Sequence, residues 1–127
     1  MAATDEISQE SRAAFESCGA QTIVAPSQDG RVDLVELMKF LPSHQIYSVL
    51  IEGGSELAAS ALKSGIIDKI VFFVAPLLIG GDGLNAIAPL GIENLQDAPR
   101  LFDVQIEPIE NDAMISGYTR PLFGTHN

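Results

Sequence analysis

The run VLIEGGSELAASALKSGIIDKIVFFVAPLLIGG, residues 49–81, constrains the fold more than any other stretch of this chain. It reads as an apolar strand ending at Gly53-Gly54, an amphipathic helix from about Ser55 to Ser64, a stop at Gly65, and a second apolar strand over residues 70–79. A strand that passes through paired glycines into a helix leaves the first helical N–H groups without intrahelical acceptors. The glycines let another group come close to the main chain. Such a corner suits an anion, phosphate above all. Glu52 stands at the strand end, where a pocket would open. The same spacing also has a plainer reading, in which Gly53-Gly54 is only a tight strand-to-helix turn.

A chain of 127 residues is one domain's worth, and 46% apolar against 19% charged residues predicts a packed core rather than disorder. The longest apolar run, residues 70–79, is too short to span a bilayer and contains Pro76. The polar, acidic start lacks the basic-then-apolar order of a secretory signal. Cys18 is the only cysteine, so no internal disulfide forms, which suits a reducing, cytoplasmic setting. The formal charge is −10, from 17 acidic and 7 scattered basic residues. Nucleic acid is therefore not an expected partner, since neutralising its phosphates takes clustered Lys and Arg. Any phosphate held here would lean on backbone dipoles. The acidity by itself can equally mean solubility.

Along the chain, a polar leader over residues 1–13 runs into a helix that extends to about Ala20. Ala13, Ala14, Phe15 and Cys18 lie on one face of it, and Gly19 is its stop. Residues 21–25 read as a short strand ended by Pro26, followed by a loop turning at Asp29-Gly30. Asp33 opens a helix with Glu36 at capping-box spacing, and Leu34, Leu37, Met38 and Leu41 lie on one face. Residues 46–51 and 70–79 are apolar on both faces, which predicts central strands covered by helices. The helix between them is expected to bury Leu57, Ala58, Ala61 and Leu62. Residues 100–107 and 114–120 read as strands joined at Glu110-Asn111-Asp112 in an antiparallel hairpin. The order predicts an α/β sheet, parallel first and antiparallel at its end. Gly80-Gly81-Asp82-Gly83 reads as a loop of positive-φ glycines, with a place beside a nicotinamide as the alternative. Phe72 and Phe73 read as core on opposite faces. Asp68 ends the turn before its strand, His44 is a surface residue, His126 lies in a tail, and Cys18 is a small helix-face residue.

On these residues the chain resembles a known family. The stretch GRVDLVELMKFLPSHQIYSVLIEGGSELAASALKSGIIDKIVFFVAPLLIGG is similar to the reductase domain of bacterial riboflavin biosynthesis, the RibD C-terminal family. The similarity runs over about residues 14–120. Its most specific part is Glu52-Gly53-Gly54, a helix, Ile67-Asp68, then Ala75-Pro76 followed by Gly80-Gly81, in that order and spacing. The resemblance implies an α/β fold of the dihydrofolate-reductase-like kind. That fold has a mixed sheet with flanking helices, parallel core strands and an antiparallel C-terminal hairpin. It also implies a partial domain. In the family the domain begins well upstream of the position matching Ala14. That earlier portion supplies sheet strands, much of the substrate pocket, and the residues that meet the NADPH 2′-phosphate. Residues 1–127 are thus expected to be the C-terminal part of one reductase domain. The fused deaminase of many relatives is not expected, since one Cys and two His cannot supply its zinc ligands.

The implied reaction is NADPH-dependent reduction of 5-amino-6-(5-phosphoribosylamino)uracil to its ribitylamino form, with the opened ribose accepting hydride at C1′. The resemblance places the substrate at Glu52 and the cofactor along Gly53, Gly54, Ser55, Glu56, Leu57, Ala58, Ala59 and Ser60. In such folds the matching Gly-Gly pair often has a cis bond, so Gly53-Gly54 is a candidate for one. Glu52 has two readings: a carboxylate that accepts hydrogen bonds from the substrate ribose, or one stabilised beside a helix start with no ligand. No residue is assigned as general acid or base, and no metal is expected. The alternatives are a non-catalytic assembly module of the same fold and a related reductase of another heterocycle. A half-sheet leaves edges and apolar side chains open, so the chain is expected to form a homo-oligomer or to pair with the missing N-terminal segment.

Overall fold

The computed structural model describes residues 1–122. Two compact units make up the chain, Met1–Ile51 and Glu52–Asn127. His126 lies outside the described residues. No helix among the described residues is long and apolar enough to cross a membrane.

In the first unit, β1 (Ala2–Ala3) pairs in parallel with β2 (Ile23–Val24), the only parallel pairing among the described residues. Between them runs α1 (Gln9–Ser17), capped by Ser8, whose hydroxyl accepts from the Ser11 N–H at 3.1 Å. The single helix expected across this stretch is therefore shorter and is preceded by a strand. Its stop falls where expected, with Gly19 at φ 83 just after Cys18. Its apolar face buries nothing, and Phe15 is exposed.

Pro26 ends β2, and β3 (Ser27–Gln28) turns back on β4 (Arg31–Val32). Asp29 and Gly30 both have positive φ, 51° and 73°, the pattern of a primed two-residue turn that matches strand twist. Asp33 caps α2 (Leu34–Phe40), and its carboxylate accepts from the N–H groups of Val35 and Glu36 at 2.9 and 3.0 Å. The reciprocal half of a capping box is not made. The Asp33 N–H donates to the Pro26 carbonyl, and Glu36 turns instead to Lys39. A 3₁₀ turn, Leu41–His44, follows. Leu37 and Leu41 pack with Ala25 into a small core, lined further by Ile23, Val32 and Met38. His44 is half-buried rather than surface-exposed, and its Nδ1 lies 3.1 Å from Gln21 Nε2.

Residues 46–51 form no ladder, against the expectation of a central strand, and Tyr47, Val49 and Leu50 are exposed. A strand is held by a neighbour's N–H and C=O groups, and these residues find no such neighbour among the described ones.

The second unit holds α3 (Ser55–Lys63), which stops at Gly65 with φ 67. Next come β5 (Lys69–Val74), a 3₁₀ turn (Leu95–Asp97), β6 (Phe102–Ile109) and β7 (Asp112–Tyr118). The sheet order is β5-β7-β6, all antiparallel, so β5 is an outer strand here and not a parallel core strand. The predicted strand over residues 70–79 ends early, at Val74. Pro76 has no N–H for a ladder, and the Leu77 N–H folds back to the Ala75 carbonyl at 2.8 Å in a γ-turn. Phe73, Leu77, Leu78 and Ile79 are exposed, so only Phe72 of the two phenylalanines is even partly covered. Of the glycines at 80, 81 and 83, only Gly80 has positive φ.

The predicted C-terminal hairpin is present, turning at Glu110-Asn111 with Glu110 at φ 54. β6 carries a bulge between Phe102 and Gln105, with Asp103 at φ 50, so that two residues of β6 face Gly117 alone. Three contacts tie the end of β7 to the turn before β5. Thr119 Oγ1 donates to the Ile67 carbonyl, the Thr119 N–H donates to the Asp68 carbonyl at 3.0 Å, and Arg120 pairs with the Asp68 carboxylate.

Candidate functional site

The corner at the start of α3 is built by Gly54, which stands at the N-cap with φ 85 and ψ 102. An L side chain rarely adopts that conformation, so glycine is the residue that lets this chain enter the helix at this angle. Gly53 and Gly54 are joined by a trans bond, and no cis bond occurs among the described residues, contrary to the expectation at this pair. Both glycines are exposed, as is Glu52. A Cβ added at Gly53 would meet no atom within 4 Å, and one at Gly54 would meet only Leu57 Cβ at 3.8 Å. The main chain here is therefore open to close approach from outside.

The expected cofactor residues fall into two sets. Gly53, Gly54, Ser55, Glu56 and Leu57 form the corner and the first turn, where helical N–H groups lack i−4 acceptors and the helix dipole is positive. A glycine cap offers no side-chain acceptor to them. Ala58, Ala59 and Ser60 lie past that turn. The Ala58 N–H is already spent on the Gly54 carbonyl at 2.9 Å, and Ala59 is buried at 4% exposure. Of the residues α3 was expected to bury, Ala61 is buried and Ala58 and Leu62 are half-buried, whereas Leu57 is exposed and Ala59, not among them, is buried.

Two cations of this unit are engaged at the other end of its chemistry. Lys69 Nζ lies 5.4 Å from the centre of the Tyr118 ring, and Arg120 is paired with Asp68. Contacts that sequence reasoning missed come from the segment between β5 and β6. The Ala88 N–H donates to the Ser55 carbonyl at 3.0 Å, and Lys63 Nζ donates to the Pro89 carbonyl at 3.0 Å. Neither has a motif that could have announced it, since one is purely main-chain and the other is a lone lysine.

A family model described as the RibD C-terminal domain matches residues 1–115. The chain belongs to the RibD C-terminal domain family. It is 34% identical over 95 residues to riboflavin biosynthesis protein RibD of Escherichia coli, covering 75% of this chain and 26% of that protein. It is 36% identical over 96 residues to the RibD of Actinobacillus pleuropneumoniae, covering 76% of this chain and 25% of that one. With the chloroplastic riboflavin biosynthesis protein PYRR of Arabidopsis thaliana it shares 38% over 88 residues, 68% of this chain and 15% of that one. The chain thus spans about a quarter or less of the length of these relatives. A solved structure of Acinetobacter baumannii RibD superposes with a TM-score of 0.73 at 23% identity, over 92% of this chain and 30% of that one. The α/β, dihydrofolate-reductase-like fold implied by the resemblance is therefore the fold of this chain, within which β5 is antiparallel to its described neighbour.

Proposed function

We propose that this chain carries the dinucleotide-facing part of an NADPH-dependent 5-amino-6-(5-phosphoribosylamino)uracil reductase of riboflavin biosynthesis. The observation that carries this reading is the exposed Glu52-Gly53-Gly54 corner at the start of α3, in a chain of the RibD C-terminal domain family. The residues fit such a cofactor. The N–H groups of the first turn of α3 hold a pyrophosphate or ribose oxygen, and the unencumbered glycines let it approach. NADPH, when bound, supplies the hydride; the chain's part is to hold and orient. Glu52, one residue before the glycines, accepts hydrogen bonds from the ribose hydroxyls of the substrate and fixes its position.

A second reading, a non-catalytic assembly module, is favoured by one observation. Leu77, Leu78, Ile79 and Leu84 are all exposed in the unit that holds the corner. Such a surface calls for a cover, whether a second copy or another segment of a reductase domain. The two readings separate in one assay. NADPH oxidation with the phosphoribosylamino substrate, abolished or sharply lowered in Glu52→Ala, supports the reductase. Turnover that Glu52→Ala leaves intact removes Glu52 from the site. An NADPH-dependent rise in melting temperature without turnover leaves a binding half-site, and no response to either ligand favours the assembly module.

A further inference from the structure

Most of residues 75–100 are exposed, but one short stretch is fastened. Ala88 is 7% exposed, and its N–H reaches the carbonyl of Ser55, the first residue of α3. The neighbouring carbonyl, on Pro89, accepts from the ammonium of Lys63, the last residue of the same helix. Helical side chains tilt toward the helix start, so the long lysine stem runs back along α3. Two adjacent residues can then hold both of its ends. Pro89 fixes its own φ, which removes one of the backbone rotations between the Ala88 N–H and the carbonyl that Lys63 grips. Ile87 and Leu90 on either side are half-buried.

We infer that Ala88-Pro89 is a strap that sets the direction of the first turn of α3, and that Lys63 is a positioning residue for the dinucleotide held there. The inference rests on the reading of α3 given under the proposed function. Lys63 touches no ligand in this arrangement. It acts through Pro89 and Ala88 on Ser55, whose neighbours supply the amides.

Lys63→Met removes the donor and keeps most of the stem, and Lys63→Arg keeps a donor. The readouts are amide hydrogen exchange at Ala88 and the NADPH dissociation constant from the rise in nicotinamide fluorescence, both on the full chain. With one charged hydrogen bond lost, exchange at Ala88 should quicken and NADPH binding weaken by about threefold to tenfold in Lys63→Met, and both should return toward wild type in Lys63→Arg. Unchanged exchange at Ala88 overturns the strap. Quickened exchange with an unchanged dissociation constant overturns the positioning role. A wild-type chain that binds no NADPH refutes the proposed function and the positioning role with it, and Ala88 exchange then still decides whether the strap holds the helix.

Discussion

Gly117 is the residue at which a single methyl group should do most damage to the second unit. It lies buried in β7 opposite the bulge of β6, where two residues must fit against one. A Cβ placed there would sit 2.9 Å from Leu101 Cβ, 3.2 Å from the Phe102 carbonyl oxygen and 3.3 Å from Val104 Cγ2. Carbon atoms prefer about 3.5–4.0 Å, so the first contact is too close by about 0.6 Å or more. Neither Leu101 Cβ nor a backbone oxygen can swing away as a side-chain tip could, so the bulge itself must move. Overpacking of this kind costs about 1–3 kcal/mol. Against it stands the gain from a stiffer unfolded chain, about 0.4–1 kcal/mol for Gly→Ala. The net expectation for Gly117→Ala is a loss of about 1–2 kcal/mol. Urea unfolding followed by far-ultraviolet circular dichroism should show the midpoint falling by roughly 0.5–1 M. Gly81→Ala is the control, since Gly81 has no positive φ and a Cβ there meets nothing within 4 Å. Equal midpoints for the two variants would refute the reasoning, because the crowding at Gly117 would then have no energetic consequence.

Other expectations concern the first unit and the surface. Asp33→Ala should cost about 1 kcal/mol by orphaning the N–H groups of Val35 and Glu36, with Asp33→Ser recovering most of it in thermal melts. Leu37→Ala should cost about 2–3 kcal/mol in the same melts, since Leu37 is central to a core of only three buried residues. The hydrogen bond from Lys39 to Glu36, and then the charge of Glu36, raise the Lys39 pKa above its ordinary 10.5. Its stabilisation is whole below that value and is lost as pH rises through the folded one. Urea midpoints of wild type and Lys39→Met should therefore differ at about pH 9 and draw together as the pH is raised beyond 10.5. Light scattering at micromolar concentration should report a species larger than a monomer, and a clean monomer would count against a covered apolar surface.

What could be read from the residues was what is decided locally. Asp33 announced a cap, Gly19 and Gly65 announced helix ends, Asp29-Gly30 announced a turn, and Glu110-Asn111-Asp112 announced a hairpin; each depends on neighbours within a few positions. Residues 46–51 show the limit. Their composition is that of a strand, but a ladder needs a partner far away in sequence, which composition cannot supply. Pro76 carried its warning openly, and the apolar run through it still read as continuous because hydropathy is blind to a missing N–H. On α3 the expected face holds at Ala61 and departs at its edges, with Leu57 exposed and Ala59 buried, because alanines all round the helix give the pattern no sharp boundary. The Gly53-Gly54 corner was legible from spacing. The bonds made by the Ala88 N–H and by Lys63 Nζ were not, because a main-chain donor leaves no trace in residue type and a lone lysine names no acceptor.

The two outer strands of the described sheet are unlike each other. Along β6 stand a bulge at Asp103, the acid Glu107 and Pro108, each hostile to an incoming strand, whereas β5 presents Lys69 and then five apolar residues in a row. Recruitment to this sheet is consequently one-sided. A strand docking at β5 leaves no equally welcoming rim on the far flank, so growth halts after one addition, and such a sheet builds a finite particle rather than a fibre.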